Sequence, residues 1–111
     1  MQSQKFIKDE ETNLEVVDTG VKRKILGYNG NLMMVKIYFD LGAIGAKHSH
    51  SHSQTSYIEK GKFEVTIDYE TNTLTGGDAF YVPPDIVHGV KALEPGVLID
   101  VFNPIREDFL K

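Results

Sequence analysis

The chain has 111 residues, of which 41% are hydrophobic and 25% are charged, and this composition excludes a disordered or collagen-like protein. The net charge is −4 and only two of the 12 basic residues are arginines, so no basic stripe is available for a nucleic-acid partner. Because the chain contains no cysteine, disulfides and thiolate sites are excluded, and any metal ion must be bound by nitrogen and oxygen.

The N-terminal residues 1–15 contain no apolar stretch of the kind that secretion signals carry. Apolar runs elsewhere, such as Leu32–Val35, are about four residues long, far shorter than a membrane-spanning segment. We therefore expect a cytoplasmic protein without a membrane partner.

Short runs of β-branched and aromatic residues recur about every eight to twelve residues, whereas helical periodicity is hard to find. Asn29-Gly30-Asn31 predicts a hairpin, and Gly76-Gly77 and the two prolines at 83 and 84 predict turns. The predicted strands are residues 14–18, 21–28, 32–39, 47–50, 54–60, 63–69, 72–74, 79–82, 88–92 and 97–102. The chain is thus predicted to be a single all-β domain, residues 1–111, built as a small barrel or sandwich.

All four histidines lie in two places, with His48, His50 and His52 in KHSHSHSQ and His88 in PPDIVHG. On one strand, residues i and i+2 share a face about 6.7 Å apart, so His48 and His50 could point at one metal ion. Gln54 lies too far along a straight strand to join them, so we expect a bend near His52. A His-Ser repeat standing alone could instead be a solvated loop or an adventitious metal-binding tag.

The last predicted strand is apolar except for Asp100, which shares its face with Leu98 and Phe102. Asp100 is either an acid–base group that faces a cavity or a charge that protects an edge strand from aggregation. Arg106 follows in the tail, and a guanidinium beside a metal cavity is a natural bidentate partner for a carboxylate. A lone exposed charge is the simpler interpretation of Arg106.

The histidines belong to a longer pattern: Gly-x5-His-x-His-x3-Gln-x6-Gly over residues 42–61 and Gly-x5-Pro-x4-His over 77–88. This spacing resembles both motifs of the cupin superfamily. The resemblance implies a double-stranded β-helix of the jelly-roll type and one divalent metal ion, which could be zinc, nickel, iron or manganese. The implied metal ligands are His48, His50, Gln54 and His88. We assign His52 to the surroundings of the metal rather than to the ligands, because the expected bend directs it away.

Two positions depart from the cupin motifs, since Asp85 replaces a usual glycine and Ala92 a frequent asparagine. Neither position supplies a ligand. The presence of Gln54 in place of a glutamate has an electrostatic consequence, because three neutral imidazoles and an amide leave the full charge of a divalent ion in place. We therefore expect the pocket to attract anions.

Among cupins, the chain resembles the small single-domain proteins of the pectin-degradation type, which convert 4,5-unsaturated uronates to linear ketonised sugars. The likeness runs from about residue 21 onward and includes IDVFNPIRED near the C-terminus. It implies that Asp100, Phe102 and Arg106 join the metal in the active site. The family's usual His-Pro-His-Glu-Gln reads His-Ser-His-Ser-Gln at residues 50–54, and Tyr69 replaces a turn glycine.

The leading prediction is a metal-dependent enzyme that catalyses ketonisation, a tautomerisation with ring opening, of an unsaturated uronate or related sugar acid. Asp100 would move the proton, Arg106 would bind the substrate carboxylate and Phe102 would line the sugar ring, with Tyr57 and Tyr81 as further donors or simple packing residues. The alternatives are an iron-dependent dioxygenase and a non-catalytic sugar- or effector-binding cupin.

We expect a homodimer, since small cupins commonly dimerise. The N-terminal strands within residues 1–20 could exchange between its subunits. The C-terminal tail, residues 103–111, is expected to fold back onto the barrel.

Overall fold

The computed structural model describes residues 1–111, which form ten β-strands and two short 3-10 helices. The strands are β1 Glu15–Asp18, β2 Val21–Asn29, β3 Leu32–Phe39, β4 Ile44–His48, β5 Ser53–Lys60, β6 Lys62–Ile67, β7 Glu70–Thr75, β8 Ala79–Val82, β9 His88–Ala92 and β10 Gly96–Asn103. The 3-10 helices are Asp9–Glu11 and Glu107–Leu110. No helix has the length and apolarity to cross a membrane.

The strands form two antiparallel sheets, one of six strands in the order β1-β2-β3-β10-β5-β8 and one of four in the order β4-β9-β6-β7. Strand β10 is central, because it pairs with β3 on one side and with β5 on the other. The all-β prediction is confirmed. The position of β10 also means that a residue pointing inward from it is covered by neighbours on both sides.

The alternation of side chains along each strand decides what lies between the sheets. Along β5, Gln54, Ser56 and Ile58 are buried while the residues between them are exposed. The larger apolar cluster consists of Val21, Phe39, Ala43, Ile58, Phe63, Val65, Phe80, Val82, Ala92 and Leu98, and the smaller one of Met33, Val35, Phe102 and Ile105. Gln54, Ser56, His88 and Asp100 are the polar side chains buried alongside these clusters.

The strand that precedes the histidine-rich segment differs from the prediction. β4 ends at His48, and the chain bends through residues 49–52 before β5 begins at Ser53 in the other sheet. The prediction that His48 and His50 share one face of a single strand is therefore wrong, because the chain leaves the four-stranded sheet between them. The expected bend near His52 is confirmed.

Turns occupy the positions that the motif residues predict. Gly61, between β5 and β6, has a φ of +94°, and a Cβ built there would lie 2.6 Å from Cα of Gly96. Asp85 also adopts the left-handed region, with a φ of +67°. Aspartate tolerates this region better than most residues, which explains how it can stand where cupins usually have glycine.

Both chain termini pack against the six-stranded sheet of their own chain. Ile105 is buried with Met33 and Phe102, and Phe109 packs against the same cluster, so the predicted return of the tail is confirmed. At the other end, Gln2 pairs with Asn29 and β1 pairs with β2.

Candidate metal centre and cavity

Three histidines converge between the two sheets. His48 and His88 lie directly opposite each other on β4 and β9, and the bend after β4 brings His50 over them. The ligand atoms of the three side chains all lie within 4.8 Å of one another. Since histidine nitrogens bind divalent ions at about 2.1 Å, this group could hold one metal ion.

The backbone fixes the tautomers of two of these rings. Nδ1 of His48 lies 2.8 Å from the carbonyl oxygen of Ala46, and Nδ1 of His88 lies 2.9 Å from that of Ile86. A carbonyl can only accept, so Nδ1 carries the proton and Nε2 keeps its lone pair. Burial lowers the pKa of His88, which keeps the ring neutral.

Nε2 of His88 is the clearest indication that this group can bind a metal ion. The atom is buried and has no hydrogen-bond partner. A buried acceptor without a partner costs about 1–3 kcal/mol, and a metal ion would satisfy it. The residues present therefore fit a bound divalent ion.

Gln54 is placed to add an oxygen to this group. Its Oε1 lies 3.0 Å from Nε2 of His50, whose Nδ1 lies 3.2 Å from the carbonyl oxygen of His52. With Nδ1 donating, His50 and Gln54 face each other as two acceptors, an arrangement that a shared cation stabilises. Burial lowers the pKa of His50, so a metal ion is a better cation for this position than a proton at neutral pH.

A hydrogen-bonded chain runs from Gln54 to Asp100. Nε2 of Gln54 donates to Oγ of Ser56 over 2.9 Å, and Oγ of Ser56 donates to Oδ1 of Asp100 over 2.5 Å. Ser56 and Asp100 are opposite residues of β5 and β10. Ser56 is not among the site residues predicted from the sequence, although its position two residues after Gln54 places both on the same face of a strand.

Asp100 is only 5% exposed and lies on the central strand, which excludes the edge-strand interpretation of its charge. Burial raises its pKa to about 6, while the hydrogen bond from Ser56 and the positive charge of Arg106 act in the opposite direction. A carboxyl group with such a pKa can both accept and release a proton near neutral pH.

His52 lies outside the group of three. Its Nε2 is 3.0 Å from the carbonyl oxygen of Ile105, so the ring lies against the C-terminal tail. Tyr57 and Tyr81 are not brought to the cavity: they lie on the outer face of the six-stranded sheet and are 49% and 58% exposed. The suggestion that they donate to the site is wrong, because the alternation of β5 and β8 turns them outward.

Two of the three histidines, His48 and His88, open onto a cavity of about 350 Å³, a size suited to a small molecule. His48, Gln54, His88, Asp100 and Phe102 contribute to its wall, as do both arginines of the chain and Phe109. The ring of Phe102 lies 5.8 Å from that of His50, centroid to centroid. The cavity therefore combines a metal-competent group, a buried carboxyl and two cations.

Arg106 is held in place by three neighbours. Its Nε and Nη2 donate to the carboxylate oxygens of Asp108 over 3.2 and 3.0 Å, and this holds the pKa of Asp108 below its usual value. Its guanidinium carbon lies 4.3 Å from the ring centroid of Phe109 and 5.1 Å from that of Phe102. The prediction that Arg106 reaches the cavity agrees with this position, although Asp108 already uses two of its nitrogens.

Two facing antiparallel sheets with a histidine group between them are typical of the cupin class, and the chain belongs to the cupin family, since the Cupin domain matches residues 36–102. It is 45% identical over 108 residues, 96% of this chain and 98% of that protein, to the pectin degradation protein KdgF of Dickeya dadantii (strain 3937). The resemblance inferred from the motifs is confirmed.

Two solved structures are similar over nearly the whole chain. An RmlC-like cupin from Shewanella frigidimarina is 49% identical with a TM-score of 0.95, covering 97% of each chain. KdgF from a Halomonas species is 39% identical with a TM-score of 0.92, covering 96% of this chain and 99% of that one.

Proposed function

We propose that this protein is a metal-dependent enzyme that ketonises a 4,5-unsaturated uronate or a related sugar acid. The observation that carries the proposal is the meeting, in one cavity, of the histidine group, the buried carboxyl of Asp100 and the guanidinium of Arg106. The similarity to two KdgF proteins, one of them described as a pectin degradation protein, supports a substrate derived from pectin.

His48, His50, Gln54 and His88 are the residues that would hold one divalent ion. When bound, such an ion supplies Lewis acidity toward an oxygen of the substrate. Zinc, nickel, iron and manganese all suit three imidazoles and an amide oxygen, so the proposal leaves the choice among them to measurement.

Ketonisation of the ring form breaks the bond between the ring oxygen and C1, removes the proton of the C1 hydroxyl and adds a proton to C4, without net oxidation. The protein must therefore supply a group that carries a proton. Asp100 fits this role, because its pKa of about 6 makes both protonation states accessible. Ser56 holds Oδ1 of Asp100, which leaves Oδ2 to exchange the proton with the substrate. In this proposal Arg106 uses Nη1 to bind the substrate carboxylate, and the ring of Phe102 forms an apolar wall for the sugar.

The test is the loss of conjugated enol absorbance of a 4,5-unsaturated monouronate, compared with its spontaneous conversion. Protein loaded separately with zinc, nickel, manganese and iron is assayed, and acceleration is expected with at least one metal. If no metal gives a rate above the spontaneous one, the uronate proposal is abandoned.

Arg106→Ala is expected to raise KM about 10- to 100-fold and to change kcat much less. The reason is that a charged hydrogen bond to the substrate carboxylate acts equally in the ground state and in the transition state. Steady-state kinetics of the variant and of wild type decide this. A fall in kcat with unchanged KM would contradict the assignment of Arg106 to the carboxylate.

An iron-dependent dioxygenase is the second candidate, and the three-imidazole donor set favours it because such a set also suits iron. Oxygen consumption by the iron-loaded protein, in the absence of uronate ketonisation, would favour the dioxygenase. Binding of a sugar acid without turnover or oxygen uptake would indicate a sensor.

We also propose that the protein is a cytoplasmic homodimer. Met34, Tyr57 and Tyr81 project from the outer face of the six-stranded sheet and are 39%, 49% and 58% exposed, where an antiparallel sheet facing water is usually polar. Exchange of residues 1–20 would replace the pairing of β1 with β2 within a chain by the same pairing between chains. Light scattering after size exclusion is expected to show twice the chain mass, and a monomer would contradict the proposal.

A further inference from the structure

We propose that Arg23 forms, together with Arg106, a two-arginine site for the substrate carboxylate. The identity of the ligand as a sugar acid rests on the proposed function above. That the cavity binds a carboxylate through Arg23 is a separate statement about this chain and can be tested without turnover.

The sheet directs Arg23 into the cavity. On β2, Val21 is buried and Lys22 is exposed, so Arg23 shares the inner face with Val21. Its partner on β3 is Ile37, and both line the same cavity as the histidines. Arg23 and Arg106 are the only arginines of the chain, and the fold brings both of them to this cavity.

Both guanidinium groups contact the ring of Phe109. The guanidinium carbon of Arg23 lies 4.0 Å from the ring centroid of Phe109, and that of Arg106 lies 4.3 Å from the same centroid. The π-face of the ring attracts both cations, which offsets part of their mutual repulsion. An anion bound beside the pair offsets the remainder, so the arrangement favours a negatively charged ligand.

The hydrogen-bonding capacity of Arg23 is largely unused, in contrast to that of Arg106. Nε of Arg23 is buried without a hydrogen-bond partner, and its ion pair with Glu15, 3.6 Å from Nη2 to Oε2, is longer than a hydrogen bond. The side chain of Glu15 is 37% exposed, so solvent weakens this pair. The contact with Phe109 restrains the guanidinium, and the N–H groups of Arg23 that make no hydrogen bond are free to donate to the two oxygens of a carboxylate.

The experiment is calorimetric titration with galacturonate, a saturated sugar acid that cannot be ketonised by this route, and with galactose as its neutral counterpart. Wild type, Arg23→Ala, Arg23→Lys and Arg23→Gln are compared. Lys22→Ala is the matched control, because it removes a positive charge from the neighbouring residue on the opposite face of β2. Melting temperatures are measured for all variants.

Wild type is expected to bind galacturonate more tightly than galactose. Arg23→Ala and Arg23→Gln are expected to weaken galacturonate binding about tenfold or more and to leave galactose binding unchanged. Lys22→Ala is expected to bind galacturonate as tightly as wild type does. Arg23→Lys is expected to bind galacturonate more tightly than Arg23→Ala but less tightly than wild type, since lysine keeps the positive charge and lacks the planar N–H donors of the guanidinium. If Arg23→Ala does not fold, Arg23→Gln, which keeps a planar polar group over Phe109, decides the question.

The proposal is overturned if wild type does not distinguish galacturonate from galactose, or if the folded Arg23 variants bind galacturonate as wild type does. The outcome is independent of the proposed activity. If the protein binds galacturonate through Arg23 but does not ketonise the unsaturated uronate, the proposed carboxylate site is supported and the proposed enzyme activity is contradicted.

Discussion

His88→Ala is expected to abolish metal binding. His88 is the only member of the histidine group that β9 supplies, and its buried Nε2 has no other partner. Elemental analysis of protein purified without a histidine tag should find one divalent ion per wild-type chain and almost none in the variant. Because a ligand that binds the native state stabilises it, by about 2.7 kcal/mol at a hundredfold excess over Kd, a chelator should lower the melting temperature of wild type and leave that of the variant nearly unchanged.

His52→Ala is the matched control for this prediction, since it removes an imidazole from the same segment but from outside the group of three. Most of the metal should remain bound to it. If His52→Ala loses the metal ion and His48→Ala keeps it, the proposed ligand assignment is wrong.

Asp100→Asn is expected to lower kcat by about 10²- to 10⁴-fold with its metal content unchanged. The amide keeps the shape of the side chain and can still accept the hydrogen bond from Ser56, but it cannot carry a proton. Full activity of the variant would show that the proton moves through another group. His52 would then be the next residue to replace, because Tyr57 faces away from the cavity.

The same variant is expected to be more stable than wild type at neutral pH when both are free of metal. The carboxyl of Asp100 titrates near 3.8 in its unperturbed state and at about 6 in the folded protein. Between these values the folded state holds more protons than the unfolded state, so raising the pH from about 4 to 6 lowers the free energy of unfolding of wild type. Two pKa units correspond to a loss of up to about 3 kcal/mol, which asparagine avoids because it does not titrate.

Urea unfolding at pH 4.5 and pH 7.5 measures this difference. The advantage of Asp100→Asn should be larger at pH 7.5 and should not grow further at higher pH. Asp108→Asn is the control. Arg106 lowers the pKa of Asp108, so the folded state favours the charged carboxylate, and this substitution is expected to lower the stability at pH 7.5 instead of raising it. An Asp100→Asn variant that is less stable than wild type at pH 7.5 would contradict the assignment of a raised pKa.

The candidate ligands illustrate how much of the site was predictable. His48, His50 and His88 were chosen from their spacing, and their ligand atoms come within 4.8 Å of one another. The prediction that His48 and His50 share one face of a single strand was wrong, because β4 ends at His48. The bend after β4 directs His50 inward instead. The motif spacing identified three histidines that the fold brings together, although it did not predict the local structure that does so.

Ser56 and Arg23 illustrate what was not predictable. The spacing of Ser56 from Gln54 places both on one strand face, but it does not identify Asp100 as the partner of Ser56, and an arginine between two lysines carries no local signal of function. Ser56 acts on Asp100 only because β5 and β10 pair in one particular register, and Arg23 shares the ring of Phe109 with Arg106 only because the tail returns to the sheet. Both contacts join residues more than forty positions apart in the sequence.

The sequence by itself determined the all-β class, the approximate strands and the candidate ligand set, since side-chain alternation and turn chemistry are local properties of the backbone. Only the tertiary structure decided that β10 is central, that Asp100 is consequently buried with a raised pKa, and that two arginines meet at Phe109. The physical reason is that burial and electrostatic environment depend on which distant strands become neighbours, and pairing between distant strands is not encoded in any short segment.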